Sequence, residues 1–170
     1  MRGRTPILAA IAALTALSLA APLAAADTAG KTRLTIKVLG KSRSAGTSAT
    51  FTLLGASANT DSGTLVFKAV KELAPETTPD GFSFTPVRRT DTLKGKQGTL
   101  VIRSTGRQFS VVKEDDFVWI GSWSIVSGTG RYAGLKGGGG IVGIIQAPPR
   151  VTTFADYDFS YGYEGMVTGP

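Results

Sequence analysis

The sequence predicts an all-β protein: a single antiparallel β-barrel of about eight strands, preceded by a cleavable signal peptide. Three observations lead to this fold class. Short runs in which apolar and polar residues alternate recur between turn-forming residues. Beyond the N-terminal segment, no window of ten residues repeats apolar side chains with the helical period. Glycines stand inside several apolar runs, where a small barrel needs bends and close backbone approaches.

The first three runs have the period of two that marks a strand with one buried face. They cover residues 32–40, 48–55 and 61–70. Their apolar positions are, in chain order, Leu34, Ile36, Val38, Phe51, Leu53, Leu65 and Phe67. Each run is therefore predicted to be a strand that turns one side toward a shared core.

Five later runs continue the pattern. They cover residues 98–104, 108–114, 116–126, 140–145 and 153–167. The run at 116–126 is the richest in tryptophan, because Trp119 and Trp123 share one face with Gly121 between them. In the last run Tyr161 and Tyr163 are in phase with each other. Together with the first three runs, these segments supply the eight predicted strands.

Residues 74–98 interrupt the alternation. The segment holds three prolines and many polar residues, and it has no sustained apolar face. We predict a long loop here, with room for a short edge strand at 82–84. Loops of this length in a compact domain commonly form lids or binding loops.

The N-terminus has the three parts of a secretory signal peptide. Arg2 and Arg4 precede an apolar run at 7–21, and Ala24 and Ala26 stand at the small-residue positions of a cleavage site. We predict a signal peptide over residues 1–26 and one domain over residues 27–170, secreted or extracytoplasmic, with no further transmembrane segment. Removal of the two arginines would lower the formal net charge from +7 to +5.

The composition narrows the possible chemistry. The chain contains neither cysteine nor histidine. A catalytic Ser-His-Asp or Cys-His arrangement therefore cannot be built, nor can a zinc site of the usual type. The sequence also has no calcium-loop motif. From these absences we predict no metal and no cofactor. The positive charges are scattered along the sequence and form no basic arm, so we also predict no nucleic-acid partner.

A glycine-rich stretch at 127–140 follows the tryptophan-rich run. Residues 128–133 match the G-x-G-x-x-A fingerprint of dinucleotide sites, which requires a helix directly after the motif. The four glycines at 137–140 make such a helix costly. We therefore interpret the stretch as a compact turn, with room for one helical turn, that tucks Tyr132 and Leu135 under one end of the barrel.

The segment Trp123–Gly139, a strand followed by Gly-Thr-Gly, an aromatic residue, a small residue, a glycine and a second strand, resembles part of the allene oxide cyclase barrel-like group. Plant dirigent proteins carry a related glycine-threonine-glycine stretch. The resemblance covers about residues 117–145. It implies an eight-stranded antiparallel barrel with an apolar cavity, and a cyclase, isomerase or ligand-guiding role without metal or nucleotide. The glutamate that such cyclases use near the first strand has no counterpart at 32–39, which hold no carboxylate.

Glu164 is the candidate catalytic residue. It lies in a strand rich in glycine and tyrosine, opposite in phase to Tyr161 and Tyr163. If those tyrosines pack outward, Glu164 faces the interior, where burial would raise its pKa and suit it for acid–base work. If they pack inward, Glu164 is a surface acid. The sequence leaves both arrangements open.

Three aromatic residues are candidate ligand contacts. Trp119 and Trp123 either fill the core or line a cavity, since ligand pockets are mostly apolar and aromatic. Tyr132 either packs its ring in the core or presents its hydroxyl at the cavity mouth. These alternatives also stay open.

The function predicted from the sequence is binding of a small apolar or aromatic ligand inside the barrel, with cofactor-free isomerase or cyclase activity as an extension. The alternative is a non-catalytic, secreted or envelope-associated interaction module that uses its basic surface and residues 74–98. The oligomeric state is left open.

Overall fold

A computed structural model describes residues 30–43, 46–55, 60–111, 116–146 and 157–169. These residues form strands connected by turns, with one 3-10 helix at Gly130–Tyr132 and no α-helix within the described ranges. The strands are β1 (Lys31–Arg43), β2 (Gly46–Gly55), β3 (Thr60–Glu72), β4 (Glu76–Thr77), β5 (Ser83–Gly95), β6 (Thr99–Val111), β7 (Asp116–Gly128), β8 (Lys136–Gln146) and β9 (Tyr157–Thr168). The predicted signal peptide, residues 1–26, lies outside the described residues.

The strands close into an antiparallel barrel. Each long strand pairs with the next long strand along the chain, and β9 pairs with β1 to complete the circuit. The two-residue β4 is an appendage on the edge of β5, so β3 pairs directly with β5. Eight long strands therefore form the wall, and the predicted fold class is confirmed.

The prediction of a long loop at 74–98 is wrong. A full strand of the wall, β5, occupies residues 83–95, and only the segment before it forms the short β4 hairpin. The alternation was hidden because two inward-facing positions of β5 hold Arg89 and Asp91, which are charged yet buried. Pro86 has no N–H to donate to the ladder, but its carbonyl oxygen accepts a hydrogen bond from the backbone amide of Leu73.

The two predicted strands at 98–104 and 108–114 are one strand, β6, which ends at Val111. Their apparent separation comes from the polar and glycine residues around Gly106. A Cβ atom at Gly106 would collide with Nε1 of Trp119, so the missing side chain makes room for that indole. Gly143 makes room for the ring of Tyr161 in the same way. Glycine in this barrel thus serves close approach of aromatic rings to the wall.

The inward faces of the long strands form one core. It is built from aliphatic residues of β1, β2, β3, β5, β6 and β8 and from aromatic residues of β2, β7 and β9. Its largest fully buried side chains include Trp119, Tyr163, Ile36, Leu93 and Leu100. The core fills the middle of the barrel. The two ends of the barrel differ in how far they are open to solvent.

We call the two ends the closed end and the open end. The closed end carries the β5–β6 turn at 96–98 and the β7–β8 connection at 129–135, which lie against each other through backbone hydrogen bonds. Tyr132 and Leu135 pack beneath this connection, and the single helical turn falls at 130–132, as the sequence indicates. The open end carries the start of β2, β5 and β9.

Candidate functional site

A cleft opens at the open end because β2 and β3 separate. The two strands pair only from Thr50–Thr64 to Leu54–Thr60. Beyond these pairs, residues 46–49 and 65–72 are bonded to other strands but not to each other. The space between them is a cleft of about 840 Å³.

The floor of the cleft is apolar and its rim is polar. Ala49, Leu65 and Phe159, all of them buried, form the floor. Lys41 and Asp158, on adjoining strands, are among the rim residues. Hydroxyl groups on the rim come from Thr47, Ser48, Thr50, Thr64 and Ser160. The exposed side chains of Leu39 and Val66 also line the cleft. An apolar floor with a few polar groups at its edge is the usual construction of a small-molecule site.

A β-bulge widens the same opening. The register between β3 and β5 shifts between Phe67 and Ala69, and Val70 then stands opposite Arg89. Residues directly opposite in an antiparallel pair share one face, so Val70 is on the interior side of the wall. It is nevertheless 56% exposed. The barrel is therefore open to solvent beside the strand position of Arg89.

Aromatic rings connect the cleft floor to the barrel centre. The ring of Phe159 lies 5.3 Å from the ring of Phe67 and 5.3 Å from the ring of Tyr161, measured between centroids. Tyr157 packs on the outer side of Phe159 at 6.0 Å. Tyr161 in turn meets Trp119 edge-on at 5.4 Å. A ligand seated on Phe159 would therefore rest on a continuous aromatic layer.

Beneath this layer, the guanidinium group of Arg89 is enclosed by rings. Its Cζ atom lies 4.1 Å from the ring centre of Trp119, 4.2 Å from that of Tyr161 and 4.8 Å from that of Phe67. Each distance is within the range of a cation–π interaction. Arg89 is 5% exposed, so these contacts form away from water, where they are strongest.

Asp91 and Tyr163 complete the polar interior. The Nε atom of Arg89 lies 2.9 Å from both carboxylate oxygens of Asp91 and donates a hydrogen bond to Oδ2. The Nη2 atom of Arg89 donates to the Tyr163 hydroxyl at 2.6 Å, and that hydroxyl donates to Oδ2 of Asp91 at 2.7 Å. The three side chains form a closed triangle within the core.

Burial sets the protonation of this triangle. Burial raises the pKa of Asp91, and the opposing attraction of Arg89 and the hydrogen bond from Tyr163 do not cancel that effect. Burial likewise raises the pKa of Tyr161 and raises that of Tyr163 well above the ordinary phenol range. Both phenols are therefore neutral at physiological pH and can act as hydrogen-bond donors.

Three inward-facing polar atoms around the triangle have no hydrogen-bond partner among the described residues. They are Oδ1 of Asp91, Oγ of Ser104 and Nε1 of Trp119. They belong to the adjacent strands β5, β6 and β7, and Ser104 stands directly opposite Arg89. Buried polar atoms normally find a partner, so this layer of the core can form further hydrogen bonds, with the Trp119 indole as a donor and the Asp91 oxygen as an acceptor.

Asp61 organises the closed end. It accepts hydrogen bonds from the Tyr132 hydroxyl at 2.6 Å and from the backbone amides of Ser62, Lys96 and Gln97 at 2.7 to 3.1 Å. Burial alone would raise the pKa of Asp61, but these four donors outweigh it and lower the pKa. The carboxylate thereby links β3 to the β5–β6 turn and to the β7–β8 connection.

The residues predicted from the sequence lie in three different places. Glu164 is on the outer surface, where it accepts a hydrogen bond from Arg33 at 3.0 Å and is about half exposed. Tyr161 and Tyr163 point inward, so the condition for an interior Glu164 is not met. Trp123 is buried and donates from Nε1 to the Glu164 carbonyl oxygen at 3.3 Å, while Trp119 packs on Arg89. Tyr132 belongs to the closed end, and none of the four lines the cleft.

The residues that sequence reasoning missed are Arg89, Asp91, Tyr163 and Phe159. A signal for the first two was present. Every second residue from Val87 to Leu93 lies on one face of β5. This spacing predicts a strand once the charged residues Arg89 and Asp91 are assigned to the inward face. Phe159 shares the buried face of Tyr161 and Tyr163, but the sequence of the run does not show that it lies at a gap in the wall.

Within the described ranges, no three acidic, histidine or cysteine side chains are grouped so that they could hold a metal ion. Nor does any helix in these ranges have the length and apolar character needed to cross a membrane. Comparison of the chain with protein-family models, curated proteins and solved structures finds no match. The resemblance to allene oxide cyclase-like barrels therefore stays a prediction from residues 117–145.

Proposed function

We propose that this barrel binds a small apolar or aromatic ligand in the cleft at its open end. The observation that carries the proposal is the separation of β2 and β3, which exposes a floor of Ala49, Leu65 and Phe159. The cleft volume of about 840 Å³ lies within the range of known small-molecule sites. The middle of the barrel is filled by side chains, so the ligand would sit above the core rather than inside it.

The floor favours a flat, ring-containing ligand. Phe159 already packs against Phe67, Tyr157 and Tyr161 at ring-to-ring distances of 5.3 to 6.0 Å. A further ring placed on this layer would gain the edge-to-face or offset contacts that aromatic pairs prefer. Lys41 and the hydroxyl groups at the rim would orient a polar substituent.

A cofactor-free isomerase or cyclase is a second candidate, and the position of Tyr161 favours it. Tyr161 contacts Phe159 on the side of the cleft and Arg89 on the side of the core. Tyr161 does not line the cleft, so a ligand would have to displace Phe159 to reach its hydroxyl group. Its raised pKa keeps the phenol protonated, so it would then donate a hydrogen bond to an oxygen atom of that ligand. Asp91 and Tyr163, deeper in the core, would hold Arg89 and the ring layer in place.

Ligand binding is tested with the uncharged fluorescent probe N-phenyl-1-naphthylamine. We expect the wild-type protein to give saturable binding at one site. Ser48→Trp places an indole in the cleft from an exposed rim position and should weaken probe binding about tenfold or more, a loss of about 1.4 kcal/mol. Ser124→Trp, at an exposed position of β7 away from the cleft, is the matched control. Equal binding by the two variants would overturn the proposal.

The second candidate is separated from simple binding by Tyr161→Phe, with Tyr157→Phe as the matched control. Both changes remove one hydroxyl group and leave the ring that contacts Phe159. If the barrel only binds its ligand, neither change alters probe binding by more than about twofold. If the protein is an isomerase that acts through the Tyr161 hydroxyl group, Tyr161→Phe abolishes turnover of a ligand identified by binding. The control Tyr157→Phe leaves that turnover unchanged.

A further inference from the structure

Six cations lie on one outer face of the barrel, formed by β3, β5 and β6, which we call the basic face. Its members are Lys68, Lys71, Arg88, Lys94, Arg103 and Arg107, all of them exposed. They alternate along their strands with inward-facing residues, except at Lys68, which occupies the β-bulge. The fold therefore brings six cations that are scattered in the sequence together on one face, although other cations lie on β1 and β8.

Among the described residues, the cations of the basic face have no acidic partners. None of the six forms an ion pair within the described ranges. Lys71 and Arg88 even stand directly opposite each other on β3 and β5, an arrangement of like charges that costs stability. On the β1–β9 side, by contrast, Arg33 pairs with Glu164. The nearest acids in the register, Glu72 and Glu76, lie at the open-end border of the basic face.

Arg107 is held in place for an external partner. Its guanidinium carbon lies 4.7 Å from the ring centre of Phe84, and Phe84 packs against Phe109 at 5.8 Å. Phe84 is 6% exposed although it is on the outer face, because the arginine covers it. A guanidinium group fixed on a ring loses less conformational entropy when it binds an anion.

The spacing of the cations suits a linear chain of anions. Lys71 and Arg88 are on neighbouring strands about 5 Å apart. Arg103 and Arg107 are four residues apart on one strand, which is roughly 13 Å. Thr90 stands opposite Arg103 and Thr105 stands opposite Arg88, so hydroxyl groups lie among these cations. Successive charges are thus separated by hydrogen-bonding groups, as successive acidic groups on a polymer would be.

We propose that the basic face binds an acidic polysaccharide. A linear polymer can follow the convex wall across three strands, whereas a flat bilayer would contact only its crest. The face also lacks a row of rings on which successive nucleic-acid bases could stack, because Phe84 and Phe109 pack on each other and under Arg107 and only Phe82, just before β5, is exposed. This surface is separate from the cleft and does not depend on what the cleft binds.

The test compares two triple variants with the same change in charge. Lys71→Gln, Arg88→Gln and Arg103→Gln remove cations from the basic face. Lys31→Gln, Lys37→Gln and Lys136→Gln remove exposed cations from β1 and β8. Binding to polygalacturonate is measured at several salt concentrations, with neutral dextran as a blank. We expect the first variant to bind at least tenfold more weakly, the second to change by less than about twofold, and wild-type binding to weaken steeply with salt.

Three outcomes would overturn the proposal. Equal losses in both variants would mean that only total charge matters. Tighter binding to oligodeoxythymidylate than to polygalacturonate would indicate a nucleic acid, and binding only to phosphatidylglycerol vesicles would indicate a membrane. Thermal unfolding and N-phenyl-1-naphthylamine binding serve as folding controls. If the triple variant does not fold, the single Arg88→Gln substitution must still reduce polysaccharide affinity by about threefold or more.

Discussion

Asp61 and Asp91 are both buried carboxyl groups on inward-facing positions of the same barrel, yet their pKa values move in opposite directions. Asp61 receives four hydrogen bonds, three of them from backbone amides at the closed end, and its pKa is lowered. Asp91 is 0% exposed, receives hydrogen bonds from Arg89 and Tyr163 on one oxygen, and its pKa is raised. Burial alone therefore does not decide the charge of a carboxyl group in this protein.

The difference lies in how many donors reach each oxygen. Both oxygens of Asp61 accept hydrogen bonds from groups held by turns, so the charged form is well solvated by the protein. Oδ1 of Asp91 lies 2.9 Å from Nε of Arg89 but accepts no hydrogen bond from any other donor among the described residues. The ionised form of Asp61 at the closed end is thus stabilised by four donors, whereas the ionised form of Asp91, in the core below the cleft, depends mainly on Arg89.

The largest effect on stability should come from removing Asp91, the partner of Arg89. Asp91→Leu leaves the Arg89 guanidinium group buried without its partner, so we expect a loss of about 3–5 kcal/mol in the free energy of unfolding. The triple variant Arg89→Met, Asp91→Leu and Tyr163→Phe removes every member of the triangle and should recover most of that loss. Urea unfolding measures both. A single variant as stable as wild type would show that the ion pair is not needed to compensate Arg89.

A smaller loss is expected at the closed end. Asp61→Asn keeps the side-chain size but removes the charge and replaces one oxygen by an NH2 group, which then faces two of the four donors, so we expect a loss of about 1–3 kcal/mol. Tyr132→Phe removes one of the four hydrogen bonds and should cost about 1 kcal/mol. Urea unfolding again provides the measurement. Should Tyr132→Phe cost more than Asp61→Asn, the carboxylate would not be the organising group.

The two carboxyl groups should also give stability opposite dependences on pH. The lowered pKa of Asp61 means that it stabilises the fold above the ordinary carboxyl pKa of about 4, and that this contribution is lost as the pH falls through its folded-state value. The raised pKa of Asp91 means that its ionisation lowers stability as the pH rises above about 4 toward its folded-state value. Unfolding is therefore measured from about pH 3 to pH 7.

Relative to wild type, the cost of Asp61→Asn should grow with rising pH, and the cost of Asp91→Asn should shrink. Each asparagine variant serves as the control for the other, because both replace a carboxyl group by an amide at a buried site. Two costs that change in the same direction would contradict the comparison.

The smallest effect is expected for Glu164→Gln. The ion pair with Arg33 joins two side chains that are each about half exposed, and such pairs contribute less than about 1 kcal/mol. Probe binding in the cleft should also be unchanged, because Glu164 lies on the outer face. A loss of ligand binding in this variant would place the site on the β1–β9 surface instead.

The barrel could be predicted from the sequence because the alternation survives in most strands. In β1 and β7 every second residue is apolar or glycine over most of the length, which is sufficient to indicate a strand with one buried face. In β5 the same positions include Arg89 and Asp91, and the alternation of hydropathy disappears although the alternation of direction remains. The polar interior was not predicted because its charged residues, Arg89 and Asp91, occupy inward-facing positions that apolar residues usually hold.

The cleft could not be predicted for a different reason. It depends on the register at which β2 and β3 cease to pair, which involves residues 46–49 and 65–72 that look like ordinary strand residues. The direction of Glu164 was undecided because β9 carries tyrosines on one face and small or polar residues on the other, and hydropathy does not say which face a tyrosine prefers.

One pairing in the barrel joins strands that are far apart in sequence, that of β1 with β9, in which Lys31 stands opposite Thr168. During synthesis the free edges of β1 and β8 stay unpaired until β9 has been made. An unpaired edge is a template for the β9 strand of another molecule as readily as for its own. We expect exchange of β9 between chains to be the main route to dimers and aggregates at high protein concentration.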